Sequence, residues 1–525
     1  MEKLSYYLKK EHLWNWLCGM ILLTASLKMA YALQDIANIL YVLTLLASII
    51  FIGGILFKRI KEKKIFDDTI EKVFAVILLF FGVSTIINFN DQVLKNFRAL
   101  IVGMIFFFVL FQYAKKRKKM FLEEKLHKFN MIIIVSTFIY GIIMCFFIFY
   151  QGTFYLINFS GNTFEIGWYA QRIIGIYGNG NSAGAGCFMS FAISIIEVTF
   201  AKCEKRPIKK IVYANIIIQL IGVLISASRS SFISIVIFSL IYGYTFFCQR
   251  GRGKLINAIK TIACTGIGVL VLLMVSSYIM EVPRIKTENI YCVDIMTGEI
   301  KQVETVEEGS NGSEKENGIS IAYRLKSGKQ NKDKLTDEIN TEEQTADIEA
   351  VETNGDVKSE ASLNQYSSGR INIWKSAFQI WKKHPVFGVG LYGLENNMRY
   401  ETDFFDNYEE DEVELIYQNY FSMHNDFIQS FVSGGLVGGI LLIGLIIILL
   451  LSILIKYLNL ANGIDKLKVG CLFAFIIGML SMSMFLYIFY FDAISTGGIF
   501  WFYFGFAYYY LKEEMNQGEK NNFQN

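Results

Sequence analysis

The sequence holds eight Cys and four His, yet it has no C-x-x-C, no H-E-x-x-H and no zinc-type spacing. That leaves no signature of a thiol redox centre, a zinc protease or a structural zinc site, and no metal or cofactor is expected. Cys18, Cys145, Cys187, Cys264 and Cys471 fall inside apolar runs. Cys203 and Cys248 lie at basic edges, and only Cys292 lies in an outward segment, so a disulfide framework is lacking too. The two halves show no mutual similarity, which paired-repeat carriers usually have. No small-residue cleavage site follows the first apolar run, which therefore reads as a retained helix rather than a signal peptide. The net charge is only +3, and no nucleic-acid partner is expected.

What is abundant is apolar length. Of 525 residues, 53% are hydrophobic, with 45 Phe and 29 Tyr. Several uncharged runs reach the roughly 20 residues needed to cross a bilayer. The expected class is an all-α polytopic membrane protein with about twelve transmembrane helices, near 14–33, 36–57, 70–88, 97–114, 130–150, 183–201, 211–227, 230–247, 255–279, 427–455, 469–489 and 494–510. Lys and Arg collect in alternate loops: Lys58 to Lys64, Lys115 to Lys119, Lys202 to Lys210 and Arg250 to Lys254. By the positive-inside rule these loops are cytoplasmic, and Lys3, Lys9 and Lys10 put the N-terminus on the same side. An even number of spans returns the C-terminus there as well.

Composition divides the chain into an N-terminal bundle of about nine spans (1–280), an extracytoplasmic loop (281–426) and a C-terminal three-helix segment with a cytoplasmic tail (427–525). Within the loop, residues 285–366 are rich in Glu, Lys, Asn, Thr, Ser and Gly. Such a stretch buries too little apolar surface to offset its chain entropy and reads as a disordered acidic insertion. Residues 370–384 differ. Apolar groups at 371, 374, 377, 378 and 381 share one helical face. Trp374 and Trp381 suit the headgroup layer, which predicts an interfacial helix. Pro385 ends it, and Gly388-Val389-Gly390 permits a tight turn.

The residues of chemical interest lie on the outward side. His424 stands where the polar loop meets an apolar run, and an imidazole can take a proton near neutrality. Arg172, Arg229 and Arg370 break the charge rule. Arg229 sits in Ser226-Ala227-Ser228-Arg229-Ser230-Ser231, between two apolar runs with almost no loop. A guanidinium there costs on the order of 2.5–3.5 kcal/mol at mid-bilayer, so either snorkelling or an anionic ligand must offset it. Arg172 precedes a Gly/Asn turn, Gly178-Asn179-Gly180-Asn181, whose amides at a helix start can face an anion. Asn179, Asn181 and Asn425 are candidate substrate contacts. Arginine grips phosphate oxygens bidentately. Together these groups suit transfer from a lipid diphosphate to a sugar hydroxyl. Glu165 and Asp426 are alternative bases, although Asp426 could simply cap its helix. Glu409 to Glu412 could hold a divalent ion but suits a solvated run. His12, His127 and His384 read as ordinary.

The sequence resembles the O-antigen ligase and polymerase superfamily of bacterial membrane glycosyltransferases. The likeness rests on Arg172 through Ala183, on Ser228-Arg229, and on Arg370, Trp374, His384-Pro385, Gly388-Val389-Gly390, His424-Asn425 and Gly434 to Gly438. The resemblance implies a GT-C-like fold with a large outer loop. It implies transfer of undecaprenyl-diphosphate-linked oligosaccharide at the outer face of the cytoplasmic (inner) membrane, without metal or ATP. His424 would be the general base, Arg172 and Arg229 would hold the diphosphate, and Arg370 would orient the donor. Inversion by one displacement follows, since no second nucleophile is evident. Membrane lipids, a flippase and a chain-length regulator are the implied partners. The acidic insertion departs from the family pattern.

Polymerase and ligase share this donor chemistry and differ in acceptor. Richness in Lys, Asn, Ile and Phe fits an AT-rich genome of a lineage without lipopolysaccharide, which favours a polymerase of capsular or exopolysaccharide. A flippase or other carrier is the rival from another class. A non-catalytic scaffold would not need Arg229 at a lipid edge.

Overall fold

The computed structural model describes residues 2–88, 93–157, 163–169, 172–249, 253–281, 285–286, 290–294, 300–303, 370–405, 423–461, 463–491 and 494–522. Long helices run up and down the molecule: α1 (Glu2–Lys28), α2 (Gln34–Lys61), α3 (Thr69–Ile87), α4 (Val93–Ile105) and α5 (Lys119–Phe149). Four short strands follow: β1 (Tyr150–Gln151), β2 (Thr153–Ile157), β3 (Thr163–Tyr169) and β4 (Arg172–Gly175). Then come α6 (Gly180–Cys203), α7 (Lys210–Ile225), α8 (Arg229–Cys248) and α9 (Lys254–Glu281), and strands β5 (Ile285–Lys286), β6 (Ile290–Asp294) and β7 (Ile300–Val303). The chain closes with α10 (Arg370–Lys383), α11 (Leu394–Glu401), α12 (Asp426–Asn459), α13 (Ile464–Ser483) and α14 (Ile494–Asn522).

Among the described residues nine helices are long and apolar enough to cross a membrane. With α1, the shorter α7 and α14 they fill the twelve expected places. The protein is an all-α polytopic membrane protein. Its interior is aromatic: Phe74 stacks on Phe107 with centroids 4.0 Å apart, and Trp501, fully buried, donates to the Phe489 carbonyl at 2.8 Å. Such rings pack closely where the hydrophobic effect gives no drive between helices and dispersion must hold the bundle. Elsewhere the apolar surface stays outward, as on α9, where Leu255, Met274 and Tyr278 are all more than 70% exposed; a lipid environment suits such a helix.

A small sheet, unforeseen from the sequence, sits at the end where α5 stops and α6 starts. Its order is β4-β3-β2-β6-β7, with β1 and β5 paired beside it. Trp168 fastens it to the bundle by donating to the carbonyls of Phe147 (2.8 Å) and Tyr150 (3.1 Å). The expected disordered insertion at 285–366 needs correction at its start: β6 pairs in parallel with β2, setting Phe154 opposite Tyr291, and β7 pairs with β6. A composition averaged over the whole insertion hides the short β-forming run Ile290-Tyr291-Cys292-Val293. Residues 304–369, and the acidic run Glu409 to Glu412, lie outside the described residues.

Candidate active site

The strand β4 delivers Arg172, and the following turn opens α6. Asn179 caps that helix, its side-chain oxygen accepting from the Ser182 amide at 2.7 Å. Gly180 is required by proximity. A Cβ there would meet the Ser226 carbonyl oxygen at 2.9 Å and Arg172 Cδ at 3.2 Å. The arginine side chain thus passes over the start of α6 onto the turn between α7 and α8. That turn is tight: Ala227 takes a left-handed φ of 49°, and Ser228 and Ser231 share a hydrogen bond of 2.9 Å. Arg229 follows at once as the first residue of α8, its side chain exposed. Two arginines from distant stretches are therefore carried by touching backbones.

Arg370, half-buried, begins α10. One turn later Trp374 donates its indole N–H to the carbonyl of Met423 at 2.9 Å. Below it Ala377 and Ile380 pack with Val389, Leu394, Met398, Met423 and Val432 in a second small core. This holds α10 against the start of α12. Trp374 therefore does more than favour a headgroup layer, as the sequence alone suggested: it grips the residue before His424.

His424 has a φ of 47°, unusual for a residue with a Cβ. It lies between two anchors. Met423 is fully buried. Asn425 caps α12, accepting from Phe427 (2.9 Å) and Ile428 (3.0 Å) while donating to the Met484 carbonyl (3.0 Å). Asp426 is not the cap; its buried carboxylate accepts from the amides of Ile488 and Phe489, both at 2.7 Å. The left-handed backbone of His424 is so pinned from both sides. Asn179 and Asn425, expected as substrate contacts, have their side-chain oxygens engaged as caps, whereas Asn181 stands half-buried in the first turn of α6.

The electrostatics join the pieces. Burial and then the fields of Arg172 and Arg229 lower the proton affinity of Arg370. Burial and then Arg370 push the His424 imidazole down to about 4. Both shifts run in the direction expected for cations crowded away from water. Among the described residues no ion pair neutralises Arg172 or Arg370, and no group of three or more His, Cys, Asp or Glu is placed to hold a metal. Glu165 lies on β3, opposite Tyr155, where burial raises its carboxyl to about 7. His384 pairs with Glu401 at 3.0 Å and ties α10 to α11, and His127 pairs with Glu197 at 2.6 Å at the other end of α5.

Sequence reasoning missed one element. The segment after α10 locks into a break in α12. Val389 and Gly390 amides donate to the carbonyls of Val432 and Ser433 (3.0 Å each), and Leu436 donates to Pro385 (2.7 Å). Gly388 (φ 65°) and Gly435 (φ 62°) lie back to back, and a Cβ on either would overlap the other strand's backbone. Ser84 of α3 bridges both partners, donating to the carbonyls of Phe387 (2.6 Å) and Ser433 (3.2 Å), and Asn88, just past α3, donates to Gly388 (2.8 Å). The glycines were the only local signal, because their partners lie far along the chain.

Fold and site together define a multi-pass membrane protein with a cationic end built around one imidazole. Residues 214–443, from α7 into α12, match the family model described as O-antigen ligase, which places that segment, with Arg229, Arg370 and His424, in the O-antigen ligase and polymerase superfamily. Arg172 lies before the matched segment. No curated protein matches the chain. The match indicates a membrane enzyme of the ligase or polymerase type, akin to a glycosyltransferase.

Proposed function

We propose that the protein polymerises oligosaccharide repeat units carried on a polyprenyl diphosphate, at the outer face of a bacterial cytoplasmic membrane, with both termini inside. The observation that carries this reading is a chain of neighbouring cations, with Arg172 and Arg229 acting on Arg370 and Arg370 acting on His424 beside the turn that caps α12. In the reaction an acceptor sugar oxygen attacks the anomeric carbon of the donor. The bond from that carbon to the diphosphate oxygen breaks, and the electron pair leaves with the diphosphate. Arg172 and Arg229 hold that anion and stabilise the charge it gains, an effect of about 3–4 kcal/mol per well-placed donor. Arg370 orients the donor. His424 takes the acceptor hydroxyl proton, a role that contributes about 10²–10⁴-fold.

The low proton affinity of His424 fits this sequence. Before the donor binds the imidazole is neutral, the form that accepts a proton. A bound diphosphate offsets part of the field of Arg370 and raises the affinity as the acceptor arrives. Basic loops at the opposite end of the bundle support the orientation. A flippase and a chain-length regulator are natural partners of such an enzyme. Transfer to a different acceptor, as a ligase, is the second reading, favoured by the description of the matching family model.

Reconstitution with a defined polyprenyl-diphosphate oligosaccharide tests this. Polymerase activity yields products growing by whole repeats, and ligase activity yields a single transfer to an added acceptor. His424→Ala yields neither while still inserting. Polymer of normal length from that variant would defeat the assignment of the base. Lipid-linked sugar stranded inside cells lacking the protein would point to a carrier instead.

A further inference from the structure

We propose that Trp374 is a positioning residue for His424: its indole N–H holds the Met423 carbonyl, and the Pro385–Gly390 segment, locked into the break of α12 at Gly435, keeps that grip rigid. The inference rests on the proposed reading of His424 as the base. A left-handed φ on a histidine costs free energy and persists only where its surroundings impose it. Here the residue before it is held by Trp374 from one side (2.9 Å) and, more weakly, by Gln429, whose side-chain oxygen accepts from the Met423 amide at 3.3 Å. Gln429 in turn donates to the Ser433 hydroxyl at 3.1 Å, beside the lock.

The same helix that carries Trp374 begins with Arg370. Positions four apart lie on one face of a helix. One rigid element thus sets an arginine and the base in register. Without the lock, α10 would be tethered to the start of α12 only by the small apolar core and the Trp374 bond itself. Ser84 of α3, bonded to both segments of the lock, and Asn88, bonded to Gly388, tie this unit to the bundle.

The test uses the full-length protein reconstituted with a polyprenyl-diphosphate oligosaccharide. Trp374 is replaced by benzothienylalanine, which keeps the ring shape and removes only the N–H, and in parallel by Phe. The expected result for both is a kcat lowered about tenfold, the size of one lost hydrogen bond in the support of the base. KM for the lipid donor should stay within about twofold, because the arginines that hold it are untouched. In a His424→Ala background the replacement should have no further effect. A purely structural tryptophan would lower the amount of inserted protein and leave kcat per inserted molecule unchanged; that result overturns the proposal. Should Trp374→Phe fail to insert, Gln429→Met removes the opposing grip and should lower kcat more mildly, while unchanged kcat there and with benzothienylalanine also overturns it. Full activity of His424→Ala would remove the base itself, and the positioning role with it, a failure distinct from a silent Trp374.

Discussion

The two ends of the bundle treat buried cations in opposite ways. At the basic end four of them are met by carboxylates. Arg59 and Lys115 converge on the fully buried Glu71 at 2.7 and 2.6 Å, Lys468 reaches Glu123 at 2.6 Å, and Arg206 reaches Glu197 at 3.1 Å. Asn130 adds a bond to Glu197, and Tyr503 one to Asn130. At the other end Arg172 and Arg370 have no such partner among the described residues; the field of Arg172 reaches Arg370, and that of Arg370 reaches His424. Paired charges satisfy one another and fix the bundle. Charges crowded without carboxylates leave free energy to be recovered by an anion from outside.

The sharpest way to break this comparison is to remove the base. His424→Ala should lower turnover by about 10²–10⁴-fold with normal membrane insertion, measured as polymer formed per inserted molecule. Next in size, Arg229→Lys should cost on the order of a hundredfold in turnover, because an ammonium cannot grip a diphosphate bidentately. Its counterpart at the paired end should behave differently. Lys468→Met leaves Glu123 and Glu204 facing each other without their shared cation, a loss of roughly 3–5 kcal/mol in stability. It should reduce the yield and thermal resistance of inserted protein while turnover per molecule stays near normal. Equal effects on turnover at both ends would dissolve the distinction.

The pH profile sharpens it further. Burial and then Arg370 push the His424 imidazole down to about 4, and the proposed base acts in its neutral form. Activity should therefore persist through mildly acidic pH and fall only as pH drops through about 4. Arg370→Ala removes the second cause of the depression and leaves burial, the larger one. The acid limb should move part of the way up toward 6.5, so that activity near pH 5 is lost selectively. Because a bound diphosphate offsets the same field, the limb in kcat should lie above that in kcat/KM. The smallest effect is expected from the insertion. Deleting 310–360 should leave insertion and turnover nearly unchanged, whereas a deletion beginning at 290 also removes β6 and β7 and should damage the sheet.

The fold was readable wherever apolar length decided it. Hydropathy places a span at 70–88 and the helix covers Thr69–Ile87; the apolar spacing after Gly369 predicts a helix, and α10 runs Arg370–Lys383, stopping before Pro385. The sheet escaped because strands of two to seven residues fall below the window that reveals spans, and because β2 and β6 meet across more than 130 positions. At the site, residue type and sidedness singled out the arginines and the histidine. Their supports could not be read. Asn425 and Asp426 exchange the roles that local rules suggest, since the deciding partners, Ile488 and Phe489, come from a loop 62 and 63 residues away. Trp374 looked like a headgroup anchor because its acceptor is a main-chain carbonyl, which no side-chain pattern marks.

The most direct test of the whole account is the titration of the His424 imidazole in the reconstituted protein, identified among the four histidines as the signal lost in His424→Ala. The account predicts a value near 4 in the protein alone and a clear rise when undecaprenyl diphosphate is added. A value near 6.5 that ignores the added diphosphate would mean that imidazole and guanidinium groups do not share one anion, and would contradict it.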